Sequence, residues 1–140
     1  MKAVERRKEE EAALILSGSS FRPRFSRIAL CTKIRELWFV KAGREMQFLE
    51  LVRRTERQRG YGDWYGFMLV AQGSGEIMCE HGVHAWDIAG IIPIVEEAGG
   101  RFSDWDGKID IHRPDTLATN GKLHDEVLGI LASDGKGSKP

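Results

Sequence analysis

One stretch of this chain admits few folds. From Trp86 onward, Ile88, Ala89, Ile91, Ile92, Ile94, Val95 and Ala98 are apolar, and Gly99-Gly100 closes the run. Apolarity on nearly every side predicts a helix sunk deep in a core. Pro93 lies inside the run. Interior proline removes a helix hydrogen bond, so a bend or a short first segment is expected. A glycine pair suits a helix C-terminus. Asp87 stands at the mouth of this helix, with Glu80 seven residues upstream. An acid at a helix mouth can hold a cation or orient a polar substrate.

The 140 residues suit one domain with a real core. With 21 basic and 21 acidic residues, the formal charge is zero. That balance gives no electrostatic reason to expect a nucleic-acid or anionic-membrane partner. Cys31 and Cys79 form no Cys-x-x-Cys pair and read as reduced core thiols. No apolar run reaches the ~18 residues of a membrane span. The only apolar patch near the N-terminus, Ala12 to Leu16, is too short for a signal-peptide core, which points to the cytoplasm.

Local signals alternate between strand and helix. Met1 to Leu16 is dense in charge, and Ser17 to Pro23 has loop composition. Ile28 to Thr32 reads as a short buried strand, and Lys33 to Val52 as helix broken at Gly43. Arg53 to Gly62 is basic and reads either as a solvated surface segment or as a lip that attracts an anion. Asp63 is placed to cap a helix carrying Trp64, Phe67, Met68 and Ala71, which Gly73 to Gly75 stop. Glu76 to Cys79, Arg101 to Ser103 and Lys108 to Ile111 are strand candidates, separated in the last case by an Asp104 to Gly107 turn. Leu117 to Gly121 ends a strand in a turn, His124 to Leu131 is a last helix, and Asp134 to Pro140 is a polar tail. Strands alternating with helices give an α/β fold class.

These residues resemble the inositol monophosphatase family of metal-dependent phosphatases. Trp86-Asp87-Ile-Ala-Gly followed by Ile94-Val-Glu-Glu-Ala-Gly-Gly100 is similar to its C-terminal signature. Glu80-x-Gly-x-His84-x-Trp-Asp87 is similar to the substrate and metal loop of inositol monophosphatase. Arg59-Gly-Tyr-Gly-Asp-Trp-Tyr-Gly66, Pro93, Phe102-Ser-Asp-Trp-Asp-Gly107 and Ala118-Thr-Asn-Gly121 look more like the histidinol-phosphatase branch. The resemblance implies the C-terminal αβ half of a layered αβαβα fold. Residues 28–132 would form that half, with a charged extension over 1–27 and a tail over 133–140.

The resemblance also implies chemistry: hydrolysis of a small phosphomonoester with Mg²⁺. Asp87 matches a carboxylate that binds the metal, and Glu80 matches an acid that hydrogen-bonds the substrate. Arg59 lies where the family frames the substrate, Asp63 where substrate classes separate, and Thr32 near a strand end facing the site. Most of the family's metal carboxylates come from a glutamate and an Asp-Pro-(Ile/Leu)-Asp-Gly-Thr loop in its N-terminal half, and no such loop occurs here. Asp104-Trp-Asp106-Gly107 has the wrong spacing and reads as a turn. His81 and His84 read as loop histidines near a pocket, and Trp86 as packing. Asp110, His112 and Asp115 read as a polar surface loop.

Two expectations follow. The first is a histidinol-phosphatase-like enzyme, with inositol 1-phosphate as the alternative substrate. The second is a truncated, non-catalytic remnant that self-associates or binds a partner. In either case a half-fold exposes a face that favours homo-oligomers.

Overall fold

The computed structural model describes residues 25–32 and 36–133. The charge-dense start from Met1 to Leu16, the Ser17 to Pro23 loop and the Asp134 to Pro140 tail lie outside the described residues. The chain begins with β1 (Phe25–Thr32), α1 (Glu36–Lys41) and α2 (Glu45–Arg54), then β2 (Thr55–Arg59) and α3 (Asp63–Ala71). β3 (Ile77–His81) leads into α4 (Ala85–Ile88) and α5 (Ile91–Glu97). β4 (Arg101–Ser103), β5 (Asp115–Thr119) and α6 (His124–Leu131) complete it.

The five strands form one sheet in the order β2-β1-β3-β5-β4. β1 is parallel to both β2 and β3, while β5 runs antiparallel to β3 and β4. Side chains alternate across a strand, so β3 feeds two cores. Ile77 and Cys79 pack with Leu51, Phe39, Leu117, Val127 and Leu131 beneath α2 and α6. Met78 packs with Phe67, Val70, Ile88, Val95 and Ala118 beneath α3 and α5. Helices on both faces of a partly parallel sheet make an α/β fold, as the alternating elements predict. Among the described residues, no helix is long and apolar enough to cross a membrane.

Several expectations change. The basic segment after Arg53 contains β2, paired in parallel with β1. Only Thr55 of its five residues is buried. An edge strand needs no apolar face, and its charges discourage pairing with other chains, so hydrophobic alternation does not mark it. Lys108 to Ile111 forms no strand. Instead the Asp104 Oδ1 accepts from the backbone N–H groups of Asp106 at 2.9 Å and Lys108 at 2.8 Å, winding the chain into a turn.

The apolar run from Trp86 is two short helices, broken at Ala89-Gly90. Pro93 sits in the first turn of α5, where the helix has no hydrogen bond to lose. The run is buried on one side only. Ile88, Ile91 and Val95 face the sheet, while Trp86 is 79% exposed and Ile94 49%. The deep burial expected from composition is therefore not found among the described residues. Gly99 takes φ +89° after α5, the left-handed conformation that glycine permits.

One buried polar chain closes the fold. The Gly121 N–H donates to Thr119 Oγ1 at 3.0 Å, and Thr119 Oγ1 lies 3.0 Å from His124 Nδ1. On the other side His124 Nε2 lies 2.8 Å from Ser103 Oγ, which donates to the Asp104 carbonyl at 2.6 Å. Since Ser103 spends its hydrogen on that carbonyl, its oxygen accepts from Nε2–H, and Nδ1 accepts from Thr119. A neutral imidazole thus satisfies every position. Burial, and then Arg101, lower its pKa to about 4, against the opposing pull of Asp125.

Two outcomes are expected. A methyl at Gly66 would clash with Met78 Sδ and would lie 2.6 Å from the Tyr61 carbonyl. Gly66→Ala should therefore lower the stability measured by urea unfolding by about 1–3 kcal/mol. His124 has its folded pKa depressed below the unfolded 6.5, so the unfolded chain binds more protons between the two values. Its contribution is whole above pH 6.5 and is lost as pH falls towards about 4. Burial lowers the His81 pKa too, with the same sign. The urea midpoint should fall over that window, and His124→Asn should flatten the slope relative to the parent.

Candidate active site at the carboxyl edge of the parallel strands

Strand order locates the site before any side chain does. From β1 the chain crosses through α1 and α2 on one face to β2 at the sheet edge. From β2 it returns through α3 on the opposite face to β3, on the other side of β1. The connection leaving β1 thus goes to one edge of the sheet and the connection leaving β3, through α4 and α5, goes to β4 at the other, so a crevice opens between β1 and β3, outside the carboxyl ends of the strands. Thr32 ends β1, Arg59 ends β2, and Glu80 and His81 end β3. Asp63 begins α3 directly after β2, and Asp87 lies in α4 directly after β3.

Glu80 is the buried member, 2% exposed. It follows Met78 on the α3 side of β3, and its Oε1 lies 3.5 Å from the backbone N–H of Asp63. Its own carbonyl accepts from Thr116 Oγ1 at 3.3 Å, fixing the strand end. A carboxylate in this dry position is a stronger hydrogen-bond acceptor than one in water.

Asp63 is placed beside Glu80, but not as a capping side chain. The cap position falls on Gly62, and no side-chain cap bond forms there. Asp63 instead holds φ 57°, the one non-glycine residue with positive φ among the described residues. Aspartate tolerates this left-handed conformation better than most side chains. The turn aims the Asp63 N–H at Glu80. The glycines Gly60 and Gly62 mark a break before Asp63 in the sequence, but they do not show that Asp63 itself takes the left-handed conformation.

Asp87 lies in the first turn of α4, with its side chain 47% exposed. Its Oδ2 accepts from the His84 backbone N–H at 2.8 Å, and the Asp87 N–H donates to the His84 carbonyl at 2.9 Å. His84 Nδ1 is 3.4 Å from the same Oδ2. Trp86 does not pack into the core. Its ring stacks on His84, with centroids 4.6 Å apart and planes 6° apart. His81 is separated from His84 by the sheet, since it faces Trp105 on the α2 side.

Arg59 shares the edge but not the pocket wall. It pairs in register with Cys31, which pairs with Met78, so two strand spacings, about 10 Å, separate it from β3. Its Nη1 donates to the Gln58 carbonyl at 2.8 Å. Tyr61, Trp64 and Tyr65 form an exposed aromatic rim near it, with Tyr61–Tyr65 and Trp64–Tyr65 edge-to-face at 5.1 and 5.8 Å. Asp110 and His112 are exposed loop residues, whereas Asp115 is buried and anchors the Trp105 N–H at 2.8 Å.

Mg²⁺ takes about six oxygens in octahedral geometry. Among the described residues, no group of three or more His, Cys, Asp or Glu side chains converges to hold a metal. Asp87 offers one carboxylate, and one of its oxygens already serves the backbone. The described residues do not by themselves fit a metal centre.

The family model described as the inositol monophosphatase family matches residues 29–135. A histidinol-phosphatase of Streptomyces coelicolor is 45% identical over 89 residues, covering 64% of this chain and 34% of the relative. A histidinol-phosphatase of Mycobacterium tuberculosis is 41% identical over 93 residues, covering 66% of this chain and 36% of the relative. The chain therefore spans about a third of the length of these relatives. Among solved structures, an inositol monophosphatase from Zymomonas mobilis superposes with TM-score 0.68 at 25% identity, over 76% of this chain and 43% of its own.

The Asp63 turn has a measurable signature. Glycine adopts its φ without strain, so Asp63→Gly should leave stability unchanged or raise it by less than about 1 kcal/mol. Asp63→Val puts a branched side chain in a left-handed conformation and should cost about 1–3 kcal/mol in urea unfolding.

Proposed function

We propose, from the premise that this chain belongs to the inositol monophosphatase family, that it supplies one wall of a metal-dependent phosphomonoesterase site. The observation that carries this reading is the carboxyl edge itself. Buried Glu80 lies 3.5 Å from the strained Asp63 N–H, and Asp87 follows on the next element. In this reading Glu80 accepts a hydrogen bond from a polar group of the substrate. Asp63 shapes the pocket that separates substrate classes, and Arg59 frames its outer side. Asp87 is one ligand of Mg²⁺, and the other ligands come from outside the described residues.

Histidinol phosphate is the proposed substrate. Two relatives above 40% identity carry the name histidinol-phosphatase, and the Gly62-Asp-Trp-Tyr-Gly66 pattern supports the same branch. The buried carboxyl of Glu80 also offers an ammonium group an acceptor of opposite charge. Inositol 1-phosphate is the alternative, supported by Glu80-x-Gly-x-His84 and by the Zymomonas mobilis neighbour.

A second reading rests on a separate observation. Trp64 is 62% exposed, and Trp86 and Ile94 are also open on the side of α3, α4 and α5. Apolar residues exposed together mark interaction surfaces. A non-catalytic chain that self-associates through this side would explain both that exposure and the lack of a metal cluster among the described residues.

A phosphate-release assay on both substrates, with and without Mg²⁺, separates these readings. Mg²⁺-dependent release, faster on histidinol phosphate, is expected when the remaining metal ligands are supplied from outside the described residues, and weak or no release without them. Loss of an outer partner of a metal ligand costs about 10–100-fold, so Asp87→Asn should cost at least about 100-fold in kcat/KM. Faster turnover of inositol 1-phosphate would transfer the assignment to that substrate. Oligomers in light scattering with no turnover of either phosphoester would favour the non-catalytic reading.

A further inference from the structure

The face of the sheet opposite Glu80 carries a cavity of about 320 Å³, a size typical of small-molecule pockets. Side-chain alternation along β3 sends His81 into it, one residue after Glu80 and on the other side. The cavity lies between the start of α2 and the loop joining β4 to β5. Trp105 is part of its lining and is held rigidly. Phe39 stacks on the indole at 4.9 Å, and Nε1–H donates to the Thr116 carbonyl at 2.9 Å.

Two arginines line this cavity in different electrostatic states. Arg113 is satisfied, with Nη2 3.1 Å from Asp106 Oδ2 and Nε 3.3 Å from Asp115 Oδ1. Its pKa is raised, chiefly by Asp115. Arg44 is half-buried, and its guanidinium makes no ion pair or hydrogen bond with any described residue. Two acids on the lining therefore share one arginine, an excess of one negative charge. One arginine without an acid stands elsewhere on the lining, an excess of one positive charge. Asp115 is buried and Arg44 half-buried; a partly desolvated charge in excess is costly, and one ligand carrying both signs relieves both excesses.

We propose that this cavity binds a small zwitterion of the α-amino-acid class, with its carboxylate on Arg44 and its ammonium towards Asp106 and Asp115. The guanidinium fork suits a carboxylate in two-point contact. Ala42 and Pro114 offer apolar surface for a side chain. The site lies across the sheet from the candidate active site and shares no side chain with it.

The test uses ¹⁵N-labelled protein in metal-free buffer at fixed ionic strength, following the Trp105 indole N–H resonance. The probes are L-leucine, 4-methylpentanoate as its carboxylate half and 3-methylbutylamine as its ammonium half. Saturable shifts with L-leucine are expected, confined to residues lining the cavity, with each half binding at least about 10-fold more weakly. Arg44→Gln and Asp106→Asn should each weaken L-leucine at least about 10-fold, one charge-assisted contact being lost in each. Ala42→Leu, which adds bulk to the lining without altering charge, should abolish binding and keeps the test decisive if Arg44→Gln unfolds. An unsaturable response, a carboxylate half as tight as L-leucine, or unchanged affinity in Arg44→Gln or Ala42→Leu would overturn the proposal. None of these outcomes depends on phosphatase activity.

Discussion

β3 is the strand on which the rest of the structure depends. It pairs in parallel with β1 and antiparallel with β5, so both of its backbone edges are used. Both of its faces are buried, with Ile77, Met78, Cys79 and Glu80 all inside. Burying an apolar side chain of this size is worth about 1.5–3 kcal/mol, and β3 does so on both sides of the sheet. Side-chain alternation at its end then separates two environments. Glu80 turns to the α3 side, where it meets the Asp63 N–H, and His81 turns to the α2 side, where it meets Trp105. A register slip of one residue would exchange them and put a carboxylate against an indole.

The antiparallel half of the sheet is held by polar contacts as much as by apolar ones. Asp104 winds its own turn, Asp115 receives the Trp105 N–H, and Trp105 donates back to Thr116. His124 joins β4 to β5 through two hydroxyls. A buried network of this kind stabilises only when every member is satisfied. The donor order from Gly121 to the Asp104 carbonyl meets that condition with a neutral imidazole. Short β4 therefore pairs firmly with β5 despite having three residues.

What was legible in the sequence followed the period of burial. α6 runs from His124 to Leu131 as its apolar spacing predicts, and Gly43 breaks the helix before it, taking φ +67°. β4 and the Asp104 turn also lie where composition put them. β2 was missed because an edge strand of Thr-Glu-Arg-Gln-Arg needs neither apolar alternation nor burial. The run from Trp86 was read as deeper than it is because composition counts apolar residues without showing which side meets the sheet. The candidate acids were legible from their pattern. Which of them is dry, which is half-exposed and which is held in a strained turn was not.

The sequence by itself determined local matters: where glycines and turns stop helices, which residues alternate, and the Glu80-to-Gly100 pattern by which the chain resembles its family. These depend on neighbours within a few residues, and so they can be read along the chain. The tertiary structure alone decided the matters that depend on strand order. By crossing opposite faces of the sheet it brings the ends of β1, β2 and β3 to one edge. It also closes a cavity behind that edge from the start of α2 and the loop between β4 and β5. Residues far apart in the chain become neighbours there only because the sheet order 2-1-3-5-4 sets them side by side, and no local pattern encodes that order.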